Sequence, residues 1–167
     1  MKRILMFSFL TLGVLTLVAA GAAKNTEANY KFAEVKPFTI ADGVQFPPDN
    51  VNSKDHLDSL YSHFSDALVK QKVVEQVVAA GGTIPDADAA DSIVIEGTIT
   101  DFAKNGRNMA HPPELTLRID IYRRSDHSLI TSLTPKFKLA WETCTNQKYF
   151  GNAVGIWATQ EIKKALK

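Results

Sequence analysis

Leu115-Thr116-Leu117-Arg118-Ile119-Asp120-Ile121-Tyr122 alternates apolar and polar residues without a break. A strand sends successive side chains to opposite faces. The run therefore predicts a half-buried strand, with its leucines and isoleucines on a core and Thr116, Arg118, Asp120 and Tyr122 outward. A polar stretch follows, Arg124-Ser125-Asp126-His127-Ser128, and strand character resumes from Leu129 through Leu133, Phe137, Leu139 and Trp141. So short a separation predicts an antiparallel hairpin. Pro135 removes a ladder donor from the second arm, which predicts an outer position or a bulge there.

Upstream, Ser92 to Phe102 reads as another strand, with Ile93, Ile95 and Ile99 on one side and Glu96, Thr98 and Thr100 on the other. Gly97 falls in an inward slot, where a missing side chain makes room for an aromatic from a facing helix; Trp157 is the candidate. A turn-rich segment, Lys104 to Pro113, joins this strand to the hairpin. Tyr30 to Ile40 mixes aromatic and β-branched residues and reads as the first strand, with Pro37 predicting an edge position or a bulge. Asp42 to Ser53, with Gly43, Pro47 and Pro48, reads as a loop. From Asp55 the period changes. Leu57, Leu60, Tyr61, Phe64, Ala67 and Leu68 lie at helical spacing, with Ser53 as the cap and Asp55 and Asp58 at the positive end of the dipole. Lys72 to Ala80 fits either a strand or a continuing helix; its valines and lack of leucine favour the strand. Pro85 to Asp91 reads as an acidic loop, and a last helix runs from about Asn152 to the end.

The order is thus β-α-β-β-β-β-α. This predicts an α+β two-layer sandwich, a mostly antiparallel sheet with two helices packed on one face.

The start of the chain carries a different signal. Lys2 and Arg3 precede an apolar run from Ile4 through Ala20, then Gly21, Ala22 and Ala23 before the first further charge at Lys24. This is the order of a cleavable secretory signal, with cleavage after Ala22 or Ala23. Residues 1–23 are read as the signal peptide, 24–29 as a short polar lead-in, and 30–167 as one domain, exported to the periplasm or secreted. No cysteine stands at the cleavage position, so no lipid anchor is expected through this signal, and no stable transmembrane segment after processing.

The chain has 167 residues, with 19 lysines and arginines against 18 aspartates and glutamates. That balance gives no reason to expect a nucleic-acid partner. Cys144 is the only cysteine, so an internal disulfide is ruled out and the thiol reads as partly buried and inert.

No reactive constellation is legible. His56 and His63 are two turns apart, roughly 10 Å, too far to share one ion. His111 and His127 fall in separate loops, and all four histidines read as surface residues. Ser53, Ser59, Ser62 and Ser65 lie outside any nucleophile elbow. Glu96 and Asp120 read as solvated carboxylates on neighbouring strands. No catalytic residue, metal ligand or cofactor is therefore expected. The outer face of the hairpin stands out instead: Arg118, Tyr122, Lys136 and Lys138 gather there, with Arg123 and Arg124 at the turn. A basic, aromatic-bearing face of this kind suits contact with anionic headgroups, glycans or a protein partner. Trp141 and Trp157 follow the apolar patterns of their segments and read as core.

Ser92 to Phe102 with its central Gly97, then Leu115 to Tyr122, a turn and a closing helix together resemble a family of small exported bacterial envelope proteins of unassigned function, many of them lipoproteins. The resemblance spans roughly Tyr30 to Leu166. The lipidation cysteine is missing here, and the family's glycine-rich stretch before the last helix is reduced to Gly151 and Gly155. The resemblance implies an envelope location and brings no catalytic residues. The expected function is non-catalytic binding of another envelope protein or surface component, through the sheet face or the loop at Asp42 to Ser53, with no oligomeric state implied. The alternative is a small-ligand-binding protein or hydrolase whose site assembles only in three dimensions.

Overall fold

A computed structural model describes residues 30–47, 52–103 and 112–167. The signal peptide and lead-in read from the sequence lie outside the described residues, as do 48–51 in the first loop and 104–111 in the turn before the hairpin. Among the described residues no helix is long and apolar enough to cross a membrane.

The chain folds as an α+β protein with helices laid on a mixed sheet. Its strands are β1 (Tyr30–Val35), β2 (Thr39–Ile40), β3 (Val74–Ala79), β4 (Ser92–Ala103), β5 (Glu114–Arg123), β6 (Leu129–Leu133) and β7 (Lys136–Lys138). The helices are α1 (Ser53–Lys70), α2 (Trp141–Thr145) and α3 (Gln147–Ala165), with a 3₁₀ turn at Asp86–Asp91. Across the sheet the order is β3-β1-β4-β5-β6, with β2 beside β4 and β7 beside β5. The antiparallel half is the long β4–β5 ladder together with the β5–β6 hairpin. The other half is parallel, because β1 pairs in parallel with both β3 and β4.

Two prolines act as strand breaks. The expected single strand Tyr30 to Ile40 is divided at Pro37 into β1 and β2, which lie end to end along β4. β3 covers the other side of β1, so that part is not at an edge, whereas β2, after Pro37, has β4 as its one partner among the described strands. Pro37 is tolerated because it falls in the gap where no ladder donor is needed. At the opposite edge Pro135 separates β6 from β7, and the proline carbonyl still accepts a hydrogen bond from Leu117 N–H. The ambiguous valine run is the strand β3.

The inner face carries the core. Ile93, Ile95, Ile99, Leu117, Ile119 and Ile121 are fully buried, each contributing about 1.5 to 3 kcal/mol of hydrophobic stabilisation. The slot at Gly97 is filled by Phe38, whose ring occupies the space a β-carbon would take. The pattern points to Trp157, but Phe38, between Pro37 and the strand β2 that pairs directly with β4, lies beside Gly97 and fills the slot, while the Trp157 ring packs on Phe137.

Helices α1 and α3 run side by side in the same direction, touching through glycine. A β-carbon on Gly151 would stand 2.6 Å from the Ser59 carbonyl, and one on Gly155 2.9 Å from Phe64 N. Both caps are asparagines: Asn52 accepts from Lys54 N–H, and Asn146 from Lys148 and Tyr149 N–H. Asn52 thus takes the role expected of Ser53. The last helix begins at Gln147, five residues ahead of the expected Asn152, because Asn146 supplies the cap and the polar run before Asn152 is already helical. Trp141 opens α2 and does not extend the strand.

Candidate binding surface on the sheet

The outer face of the sheet is polar on β4 and β5, as the alternation predicts, and it divides into a covered and an open part. The connection from β3 to β4 crosses over the β1 end. Ile84 is buried there, and Lys31 Nζ pairs with Asp88 at 2.8 Å. Glu34, on an outward position of β1, is the pin. Its carboxylate forms an ion pair with Arg124 and accepts a 3.0 Å hydrogen bond from Gly81 N–H. Arg124 Nη2 also reaches the Gly82 carbonyl, at 3.5 Å. Only 9% of the Glu34 side chain is exposed. A carboxylate so placed needs the guanidinium to offset its lost hydration.

Arg124 is therefore taken out of the basic cluster expected at the hairpin. It binds the covering connection and does not join the open face. The remaining members are placed as follows. Arg118 is exposed and its Nε lies 2.9 Å from an Asp120 carboxylate oxygen. Lys136 stands 3.9 Å from Glu114. Lys138 faces Glu114 across the β5–β7 ladder. Tyr122 is half-buried, packed edge-on against His127 at 5.2 Å, and Arg123 is exposed at the strand end. Glu96 and Asp120, the two outward carboxylates, are directly opposed in the β4–β5 register, and Asp120 also accepts from Ser132 Oγ. The face is thus a lattice of alternating charges and hydroxyls, less basic than its lysines and arginines alone suggest.

The histidines divide differently from expectation. His56 is fully buried, its Nε2 3.0 Å from the Cys144 carbonyl and its Nδ1 3.3 Å from that of Asn52. Its ring sits among Phe46 and Phe150, so it ties the start of α1 to α2 from within the core. The sequence pattern placed it on the outer side of α1 because nothing local announces α2 as a partner. His63 Nδ1 lies 2.9 Å from the Ser59 carbonyl, and His127 is exposed; His111 lies outside the described residues. Among the described residues no three histidines, cysteines or acids are grouped to hold a metal ion. Cys144 is buried, and burial pushes its thiol up to about 12. At neutral pH it stays protonated and unreactive.

Two aromatics expected in the core or left unremarked are exposed on α3: Trp157, 39% exposed, and Tyr149, 60% exposed. Counting the helix from Gly151 and Gly155 turns Trp157 away from α1. The signal was present in the spacing, but it becomes readable only once the glycines are known to mark the helix contact.

No protein-family profile and no curated protein sequence matches the chain. Solved structures do share its fold. The XCC0632 protein of Xanthomonas campestris, of the DUF330 family, superposes with a TM-score of 0.54 at 12% identity, covering 82% of this chain and 83% of that one. The hypothetical protein CT253 of Chlamydia trachomatis gives 0.54 at 9% identity, over 81% and 97%. A PelC dodecamer of Paraburkholderia phytofirmans gives 0.51 at 12% identity, over 83% and 87%. At such identities the likeness is one of architecture, and the chain is an α+β protein with the fold of these bacterial proteins.

Proposed function

We propose that the chain is an exported, non-catalytic protein of the cell envelope that acts by binding another envelope protein through the open part of its sheet face. The observation that carries this reading is the arrangement of Arg118, Asp120, Glu114, Lys136 and Lys138 on one exposed surface beside Tyr122. Opposite charges alternate there at strand spacing. Such a pattern is matched by a second protein surface with the inverse alternation, which sets register and excludes wrong partners. A uniformly anionic membrane would meet repulsion from the carboxylates. Export is supported by the order of basic, apolar and small residues at the start of the chain.

The test uses the full-length chain expressed in its own cells. Covalent crosslinking in the envelope fraction, followed by mass spectrometry, identifies what it contacts and where its mature N-terminus lies. The expected N-terminus is Ala23 or Lys24. Reversing two charges, with Arg118→Glu and Lys138→Glu together, is expected to remove the crosslinked partner while leaving the protein folded and exported. Retention of every partner by the double variant overturns the sheet-face reading. An unprocessed chain in the cytoplasmic fraction overturns export.

A further inference from the structure

The two long helices lie side by side, yet their solvent faces are unlike. On α1 the exposed charged residues are Lys54, Asp55, Asp58, Asp66 and Lys70, acids and bases together, as on an ordinary solvated helix. On α3 they are Lys148 and Lys164; the one acid of that helix, Glu161, is half-buried with its carboxylate 2.7 Å from Lys164 Nζ. From Tyr149 to Gln160 the helix carries no charge at all. At about 3.6 residues per turn, Tyr149, Ala153, Ile156 and Gln160 fall on the outward side of α3, away from the buried Val154 and Ala158. Trp157 stands at the margin of that side, its ring stacked on Phe137 of β7 at 5.9 Å and 23°. Lys163, Lys164 and Lys167 follow at the C-terminal end.

We propose that α3 is a membrane-contact helix, lying flat on a bilayer surface that bears anionic headgroups, with Tyr149, Ile156 and Trp157 at headgroup depth and the lysines of its last turn against the phosphates. Tyrosine and tryptophan combine an apolar ring with a polar tip, and that combination is stable at the boundary between headgroups and acyl chains. Clustered lysines are drawn to the negative potential of such a surface. Lys163 Nζ donates to the Gln71 carbonyl and Lys164 pairs with Glu161, but Lys163 keeps its whole charge, and the three lysines outnumber the one acid. The helix lies on the surface and does not enter it, for it is not apolar enough to span a bilayer.

Charge also favours lipid over protein as the occupant. A protein partner that sets its register by charge has nothing to read between Lys148 and Glu161, whereas a fluid headgroup layer needs no register. An anionic surface is attracted at the lysine end of α3 and repelled by Asp55, Asp58 and Asp66 of α1, so the contact leans on α3 and its β7 flank. The stack on Phe137 holds the Trp157 ring in place beforehand, which lowers the entropy lost on contact. This reading rests on export, proposed above, but not on the sheet-face partner. It uses the helix side, so crosslinking to a protein and binding to lipid report the two readings separately.

The test is cosedimentation of the processed chain, recovered from the envelope fraction, with vesicles of phosphatidylcholine alone or mixed equally with phosphatidylglycerol. The chain is expected to bind the mixed vesicles, to bind the neutral ones more weakly, and to detach as salt is raised. Tyr149→Ser with Trp157→Ser is expected to weaken binding at least about tenfold. Lys164→Gln and Lys167→Gln should each weaken it about fivefold. Asn152→Asp with Gln160→Glu changes two exposed positions, removes no packing and places acids beside the aromatic residues; it is expected to weaken binding by a similar factor. Circular dichroism with thermal melting checks that the variants fold. Lipids brominated along their acyl chains are expected to quench the part of the fluorescence that Trp157→Phe removes. A processed chain that binds neither kind of vesicle, equal binding to both, variants that bind as the unmodified chain does, or capture of a protein by the α3 face in place of lipid overturns the proposal.

Discussion

On the inner face of the sheet, Ile93, Ile95, Ile99, Leu117, Ile119 and Ile121 lie under two helices whose backbones touch at Gly151 and Gly155. On the outer face the cover is a connection between β3 and β4, held by the Glu34–Arg124 pair, and it stops short of β5. The inner cover works by close packing of apolar atoms, which continues as far as the helices reach. The outer cover works by one charge-assisted anchor. It therefore protects only what lies near that anchor, and the rest of the face stays available.

Substitutions along the two covers sharpen or break this contrast. Gly151→Val should have the largest effect, because its β-carbon would meet the Ser59 backbone, which has no rotamer to move aside. A loss of about 3 kcal/mol is expected, read as a lower urea midpoint; near-neutral behaviour would show that the helices are not in close backbone contact. Arg124→Ala comes next. It leaves the Glu34 carboxylate unpaired, at about 2 to 3 kcal/mol, less than a dry ion pair would cost because 26% of the Arg124 side chain is in water. Adding Glu34→Gln to Arg124→Ala should recover part of that loss, since a neutral amide still accepts from Gly81 N–H. If the double variant is as unstable as the single one, charge burial is not what the pair resolves.

Asn146→Ala removes the side-chain acceptor for two N–H groups at the start of α3 and should cost about 1 kcal/mol, visible in the same denaturation series. The smallest effect is expected on the open face. Arg118→Ala should change stability by less than about 0.5 kcal/mol, because its ion pair with Asp120 is exposed. A larger loss would mean that this part of the face is structural and not free for a partner.

The parts of the fold governed by local pattern were legible in the chain. The alternation from Leu115 to Tyr122, the hairpin and the amphipathic period of α1 all appear as read, because periodicity in the chain maps directly onto burial. The parallel pairing of β1 between β3 and β4 was not legible, since a strand's own residues do not say which neighbour it takes. The same holds for the basic cluster. Arg118, Lys136 and Lys138 share a face by strand parity, whereas the loss of Arg124 to Glu34 joins residues ninety positions apart. His56 and Trp157 exchanged their expected places, buried for exposed, because each was judged by its own helix and not by what packs against it.

By itself, the sequence determined the period of each element and the polarity of each strand face, for those depend on spacing along the chain. It also determined that the single cysteine has no partner for an internal disulfide. Tertiary structure alone decided which side chain fills the Gly97 slot, which arginine is withdrawn into an ion pair, and which aromatic is left outside. Those outcomes depend on contacts between elements distant in the chain, whose free energies are settled only when the whole core closes.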